Sequence, residues 1–216
     1  MKKAVIAVCA LSLCLASCKK EEKIINTAAG NDTVVAPATD TVAEKPLDSV
    51  AMREAWQEYA TPGEAHKMMA DETGTWDVAM KFWSGPETVS ESSTAVAEAR
   101  MVLGGHYQEV VYKGTMMGMP FEGKSTLAYN NKNAEYTSTW IDNMATGMLV
   151  TKGTYDTAAK TINLIGSMPD PVDGKNVRVR EVYSFVDANT RKMESFDTKE
   201  GKKEFKSMEI VMKRKK

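Results

Sequence analysis

Cysteine is nearly missing from this 216-residue chain, and the three present, Cys9, Cys14 and Cys18, all lie at its N-terminal end. Everything after Cys18 is without a thiol, which excludes disulfides, thiolate catalysis and cysteine metal ligands from the folded part. Histidine is scarcer still, with only His66 and His106. A histidine-rich metal site is therefore excluded, and neither a metal nor another cofactor is expected. Charge of neither sign dominates: 28 basic residues face 29 acidic ones, for a net charge of −1. With no basic excess, nothing points to nucleic acid. Long hydrophobic runs are lacking too. The apolar stretch at residues 4–16 has thirteen residues, too few to span a bilayer as a stable helix.

That stretch has the length of a signal-peptide core, and Lys2 and Lys3 precede it. It ends in Leu15-Ala16-Ser17-Cys18. The pattern resembles the bacterial lipobox, which implies cleavage before Cys18 and attachment of diacylglycerol to its thiol. Residues 1–17 are then the signal peptide, and residues 18–47 a lipidated N-terminus and flexible tether. Several acyl chains anchor far more firmly than one. Lys rather than Asp at position 19 implies the outer membrane, by resemblance to bacterial lipoprotein sorting. Lys19-Lys20-Glu21-Glu22-Lys23 is similar to the charged export signals of some Bacteroidetes surface lipoproteins, so both the periplasmic face and the cell surface stay open. Residues 24–46 are rich in Thr, Ala, Val, Asp and Pro without any period. Thirty such residues reach roughly 30 Å.

Residues 48–73 read as a helical lead-in. Asp48 is placed to cap a helix running to Tyr59, with Met52, Ala55, Trp56 and Tyr59 as one apolar stripe. Thr61-Pro62-Gly63-Glu64 reads as a cap, a first-position proline and a capping-box glutamate opening a second helix. His66 lies on it and is expected to be half exposed.

From residue 74 to 216 the period is two. Strands are expected over 75–82, 88–103, 106–115, 121–129, 134–142, 148–155, 161–167, 176–185, 192–196 and 204–213. Gly104-Gly105 is expected to be a two-residue hairpin turn. In the central segment Tyr136, Ser138, Trp140 and Asp142 share one face, and Glu135, Thr137, Thr139 and Ile141 share the other. Short loops imply antiparallel neighbours. A meander of about ten strands must also hide its two edges. The fold class is therefore mainly β: an antiparallel up-and-down β-barrel or curved half-barrel, with a two-sheet sandwich as the alternative.

Six pieces in order, Gly74-Thr75-Trp76-Asp77-Val78, Val102-Leu103-Gly104-Gly105, Pro120-Phe121-Glu122-Gly123, Tyr136 with Trp140 and Asp142, Gly153 with Tyr155-Asp156, and Met208-Glu209-Ile210, together resemble the family labelled domain of unknown function 1579. The resemblance runs from Tyr59 to Arg214. It implies a build similar to calycin-type barrels and carries no activity.

Gly118 to Ser125 matches the phosphate-loop pattern G-x-x-x-x-G-K-S. That chemistry needs a helix starting at Lys124, whereas Ser125 and the residues after it read as strand, so no nucleotide is expected. Met116, Met117 and Met119 lie close together in a chain with fifteen methionines. Thioethers can bind Cu(I), but irregular cores use methionine more often.

The candidate ligand-binding residues are Trp76, Tyr136, Trp140, Asp142, Arg178 and Arg180. Two aromatic walls and an acid, with either arginine as its partner inside the barrel, would suit a small amphipathic ligand. A filled core with one polar pair is the equal alternative. No Gly-x-Ser-x-Gly is present, and a Ser-His-Asp set would have to use His106, so a hydrolase trails a binding barrel and an envelope-assembly subunit. The expected partners are a membrane, through the lipid, and a small amphipathic ligand.

Overall fold

The computed structural model describes residues 48–88 and 91–216. The signal peptide, Cys18 and the tether lie outside the described residues. The Asp48 carboxylate accepts from the amides of Val50 and Ala51 at 2.9 and 2.8 Å and so starts α1, Ser49–Ala60, as expected. The second helix, α2, spans Glu64–Ala70. Its N-cap is Gly63, two residues later than the sequence suggests, and the Gly63 amide donates to Nδ1 of His66 at 3.1 Å. His66 takes the part a capping-box glutamate would play, and it is buried rather than half exposed.

Ten strands follow: β1 Gly74–Phe82, β2 Glu91–Val102, β3 Tyr107–Met116, β4 Met119–Asn130, β5 Glu135–Asp142, β6 Leu149–Asp156, β7 Thr161–Pro169, β8 Asn176–Asp187, β9 Thr190–Thr198 and β10 Phe205–Arg214. Each pairs antiparallel with the next, and β1 pairs with β10 from Trp76↔Arg214 to Phe82↔Met208. The barrel is thus closed and has no free edge. The Gly104-Gly105 turn is longer than a two-residue hairpin. A 3-10 turn, Leu103–Gly105, has three successive positive φ values, 50°, 73° and 84°, and the two glycines take two of them without a side-chain penalty.

Period-two alternation decides which side chains go in. On β1, Trp76, Val78 and Met80 are buried, while Asp77, Ala79 and Lys81 are exposed. Their β2 neighbours are small: Trp76 faces Ala97 and Val78 faces Ala95, so large and small side chains interlock across the pair. The outer face carries charges on many strands, among them Lys81, Glu98, Lys113, Lys152, Arg178, Lys192 and Lys213. Each of these lysines and arginines set against lipid would cost about 2–4 kcal/mol at mid-bilayer, so this exterior is suited to water.

The interior packs as two separate clusters. One lies along β1, β2, β3, β4 and β10 and includes Trp76, Met80, Tyr112, Phe121 and Ile210. The other sits under α2 and contains Met69, Tyr136, Ile162 and Leu164. Tyr183 touches both. By contrast α1 buries no residue: Met52 is 50% exposed and Trp56 65% exposed. Its apolar stripe exists but does not dock on the barrel.

Candidate functional site: the barrel lumen

A closed barrel whose interior is filled leaves little accessible surface on its inward-facing side chains. Here Leu127, Ser138, Trp140, Glu181, Tyr183 and Met193 all face inward, yet each is only half-buried. Trp140, Tyr183 and Met193 pack against the first cluster and Leu127 and Tyr183 against the second, and the part of each left uncovered faces the barrel interior, the lumen.

The α2 end of this lumen is plugged. Arg191 donates to both carboxylate oxygens of Glu72, from Nε at 2.7 Å and Nη2 at 2.6 Å, and both side chains are 7% exposed. Tyr183 adds its hydroxyl to Glu72 at 3.0 Å, and the Trp76 indole donates to the Glu72 carbonyl at 3.0 Å. The guanidinium of Arg214 stacks 4.2 Å from the Trp76 ring centroid. Burial, followed by the nearby Glu72 charge, pushes the Tyr183 hydroxyl well above its ordinary pKa.

At the other end Trp140 lies over Gly123, and that glycine is required. A Cβ there would come within 2.5 Å of the indole. Tyr112 meets the indole edge-on at a centroid distance of 5.3 Å, and Phe121 stacks at 6.4 Å. The indole N–H donates to Asp142 at 2.7 Å. Burial pushes the Tyr112 hydroxyl up to about 12.

Polar groups also face the lumen. Glu181 accepts from the Thr151 hydroxyl at 2.8 Å, and Asp197 accepts from the Ser207 hydroxyl at 2.8 Å. Burial raises the pKa of both carboxyls, and the proximity of Asp197 raises that of Glu181 further.

The six residues singled out from sequence therefore divide. Trp140 and Asp142 stand together in the lumen wall. Trp76 and Tyr136 do face inward, but they are 1% and 2% exposed and leave no surface for a ligand. Arg178 and Arg180 do not enter the barrel or reach Asp142. They lie on the outer face, where Arg180 pairs with Glu204 at 2.6 Å and Arg178 stands 3.8 Å from the same carboxylate. Arg180 also covers the Phe196 ring at 4.0 Å. The cause is strand phase: Val177 and Val179 are buried, so Glu181, Tyr183 and Phe185 follow them inward and the arginines face out. The alternation of β8 alone does not say which set faces in, and with the valines buried Glu181 becomes an inward acid.

The phosphate-loop pattern runs along β4, with Lys124 paired outward to Glu109. Of the clustered methionines, Met116 packs inward while Met117 is 73% exposed at the turn. Both rings of the histidine pair are engaged with backbone: His66 as a cap, and His106 through Nδ1 to the Leu103 carbonyl at 2.6 Å and Nε2 to the Ala60 carbonyl at 2.7 Å.

Among curated proteins, none matches this chain significantly. One similar solved structure is a redesigned beta barrel, with 15% identity and a TM-score of 0.37 over 68% of this chain and 95% of the other. The family model described as a protein of unknown function, DUF1579, matches residues 61–214, which hold α2 and all ten strands, and the chain belongs to that family.

Proposed function

We propose that this protein is a lipid-anchored envelope lipoprotein whose barrel holds a small apolar or amphipathic molecule in its lumen without transforming it. The observation that carries the binding part is the half-buried state of inward-facing Trp140, Tyr183 and Met193, which edge the first packed cluster and keep part of their surface uncovered. Aromatic and thioether walls with a few fixed polar groups suit an amphipathic guest. The water-facing exterior supports a barrel that stands in aqueous surroundings and reaches a membrane only through its N-terminus. The anchor rests on the lipobox-like residues ending at Cys18 and the site on the outer membrane on Lys19.

Native mass spectrometry of the protein purified from envelopes tests the first part. A bound small molecule lost on organic extraction supports it, and a bare chain that also fails to take up added lipids defeats it. Metabolic labelling with palmitate tests the anchor, with label expected on the parent chain and absent from Cys18→Ser.

A second reading is favoured by α1. Its stripe of Met52, Trp56 and Tyr59 is exposed rather than docked, as it would be if the helix met another protein of the envelope. Cross-linking from Trp56 in intact envelopes to a single partner would support that reading.

A further inference from the structure

We propose that the lumen selects a guest with a positively charged head group, an amphipathic amine or quaternary ammonium, held by the carboxyls of Glu181 and Asp197. The proposal rests on the lumen-binding reading above and adds the chemistry of the ligand.

Every inward-facing acid needs a counter-charge or strong hydrogen bonds to be tolerated. Glu72 has Arg191. Glu181 and Asp197 have one hydroxyl donor each, Thr151 and Ser207. The second oxygen of each carboxyl makes no hydrogen bond among the described residues. The cations nearest in the sheet are committed elsewhere. Arg178 and Arg180 lie outside with Glu204, Lys192 and Lys206 lie outside with Glu194 and Glu209, and Lys199 pairs with Asp170. Among the described residues Glu181 and Asp197 thus form no ion pair, although the Lys199 charge acts on Asp197 from a distance, whereas both oxygens of Asp142, the third inward acid, accept N–H groups from Trp140 and Met144.

Their spacing fits a cation between them. On the β8–β9 ladder Glu181 is opposite Ser195, and Asp197 is opposite Val179. Glu181 and Asp197 are therefore diagonal neighbours on the inner face, with Cβ atoms about 7–8 Å apart. The Asp197 charge acts on Glu181, so the two carboxyls lie close enough for one ammonium between them to meet both. Trp140, Tyr112 and Phe121 form an aromatic group in the same interior. Tyr112 and Phe121 are buried in the core and back the half-buried Trp140 ring, whose face attracts an alkylammonium group as well as an alkyl chain. Burial makes both carboxyls reluctant to ionise, and a bound cation relieves that cost.

The test uses the full chain carrying Cys18→Ala, so that no acyl group competes. Dodecylamine, dodecanol and dodecanoate are titrated below their micelle concentrations at pH 7.5, with tryptophan fluorescence as the readout. Dodecylamine is expected to bind at least tenfold more tightly than dodecanol, with dodecanoate weakest. Glu181→Gln and Asp197→Asn, each shown folded by its cooperative thermal transition, are each expected to reduce the amine-to-alcohol ratio, and together to bring it near one. Equal binding of amine and alcohol by the parent chain overturns the head-group proposal and leaves lumen binding standing. An amine preference that survives in the double variant overturns the assignment to these two carboxyls. Binding of none of the three probes defeats the lumen reading itself.

Discussion

Arg191 and Glu72 form a buried two-pronged ion pair that ties the segment after α2 to β9, 119 residues away in the chain. Both partners are 7% exposed, so neither charge has water to fall back on. Removing one leaves the other stranded, which typically costs about 3–5 kcal/mol. Glu72→Gln and Arg191→Met are each expected to lower the unfolding free energy from urea titration by that order. The double replacement Glu72→Leu with Arg191→Met is expected to recover much of the loss, because an apolar pair of similar volume has no stranded charge. If the losses simply add in the double variant, the pair is not acting as a coupled unit.

The same plug separates α2 from α1. Met69 is 1% exposed at the centre of the cluster under α2, whereas Trp56 on α1 is 65% exposed. Met69→Ala is expected to cost about 2–5 kcal/mol, while Trp56→Ser stays within about 0.5 kcal/mol. Equilibrium unfolding of both variants checks this. A large loss from Trp56→Ser would mean that α1 packs on the barrel in solution.

Gly123 and Trp140 give a sharper test of the lumen wall. An added methyl at position 123 comes 2.5 Å from the indole and 3.1 Å from the Phe121 ring. Gly123→Ala should push Trp140 aside at a cost of about 1–3 kcal/mol and break its bond to Asp142. A red shift and altered quenching of tryptophan emission are the expected signs, and unchanged emission would show that the ring does not lie on Gly123.

Much of this architecture is legible from period two alone. All ten strands follow from alternation and turn residues, and closure follows from the need to hide two edges. The inward face of β5 is legible for the same reason, since Tyr136 and Trp140 share it with Ser138. The face of β8 is harder, because Arg178 and Arg180 alternate as regularly as Val177 and Val179. A long arginine can cover an outer sheet surface as well as enter a lumen, and only the burial of the valines decides which happened. The docking of helices is not legible from a stripe, because a stripe shows what could be buried and not what meets it. Met52 and Trp56 form one and remain exposed. His66 escapes notice because its role, accepting the Gly63 amide, depends on one cap position.

His106 makes the helical elbow sensitive to pH. Both ring nitrogens point at carbonyl oxygens, Leu103 at 2.6 Å and Ala60 at 2.7 Å, and only the imidazolium can donate to both at once. These two backbone bonds raise its pKa above the ordinary histidine value, while burial and the neighbouring His106 charge lower that of His66. A histidine with a raised folded pKa contributes stability that is fully present below its unfolded value, near 6.5, and that is lost as pH rises through the folded value. Amide exchange in α1, corrected for intrinsic rates, is therefore expected to be slower at pH 5.5 than at pH 8.5. His106→Gln should remove the difference. A pH effect that persists in that variant would place the switch on another group.

Glu181 also makes the fold less stable as pH rises, but by a different route: its ionised form is penalised where that of His106 is favoured. Its folded pKa is raised, first by burial, with the Asp197 charge adding to it. Below the unfolded value of 4.5 the carboxyl is protonated in both states, and nothing is lost. As pH rises from there, the unfolded chain gives up its proton first, so the folded state loses stability until the folded carboxyl ionises as well. Glutamine copies the protonated acid and can still accept from Thr151. Glu181→Gln is expected to leave the melting temperature unchanged near pH 3.5, then raise it progressively above the parent chain as pH increases, with the full gain reached above the folded pKa. A stabilising substitution at an inward polar position is the mark of a group retained for something other than stability. Adding dodecylamine to the parent chain at pH 7.5 should recover part of the same gain by supplying the missing counter-charge. A Glu181→Gln chain that melts at or below the parent across the whole pH range would show that the acid is already satisfied by its surroundings.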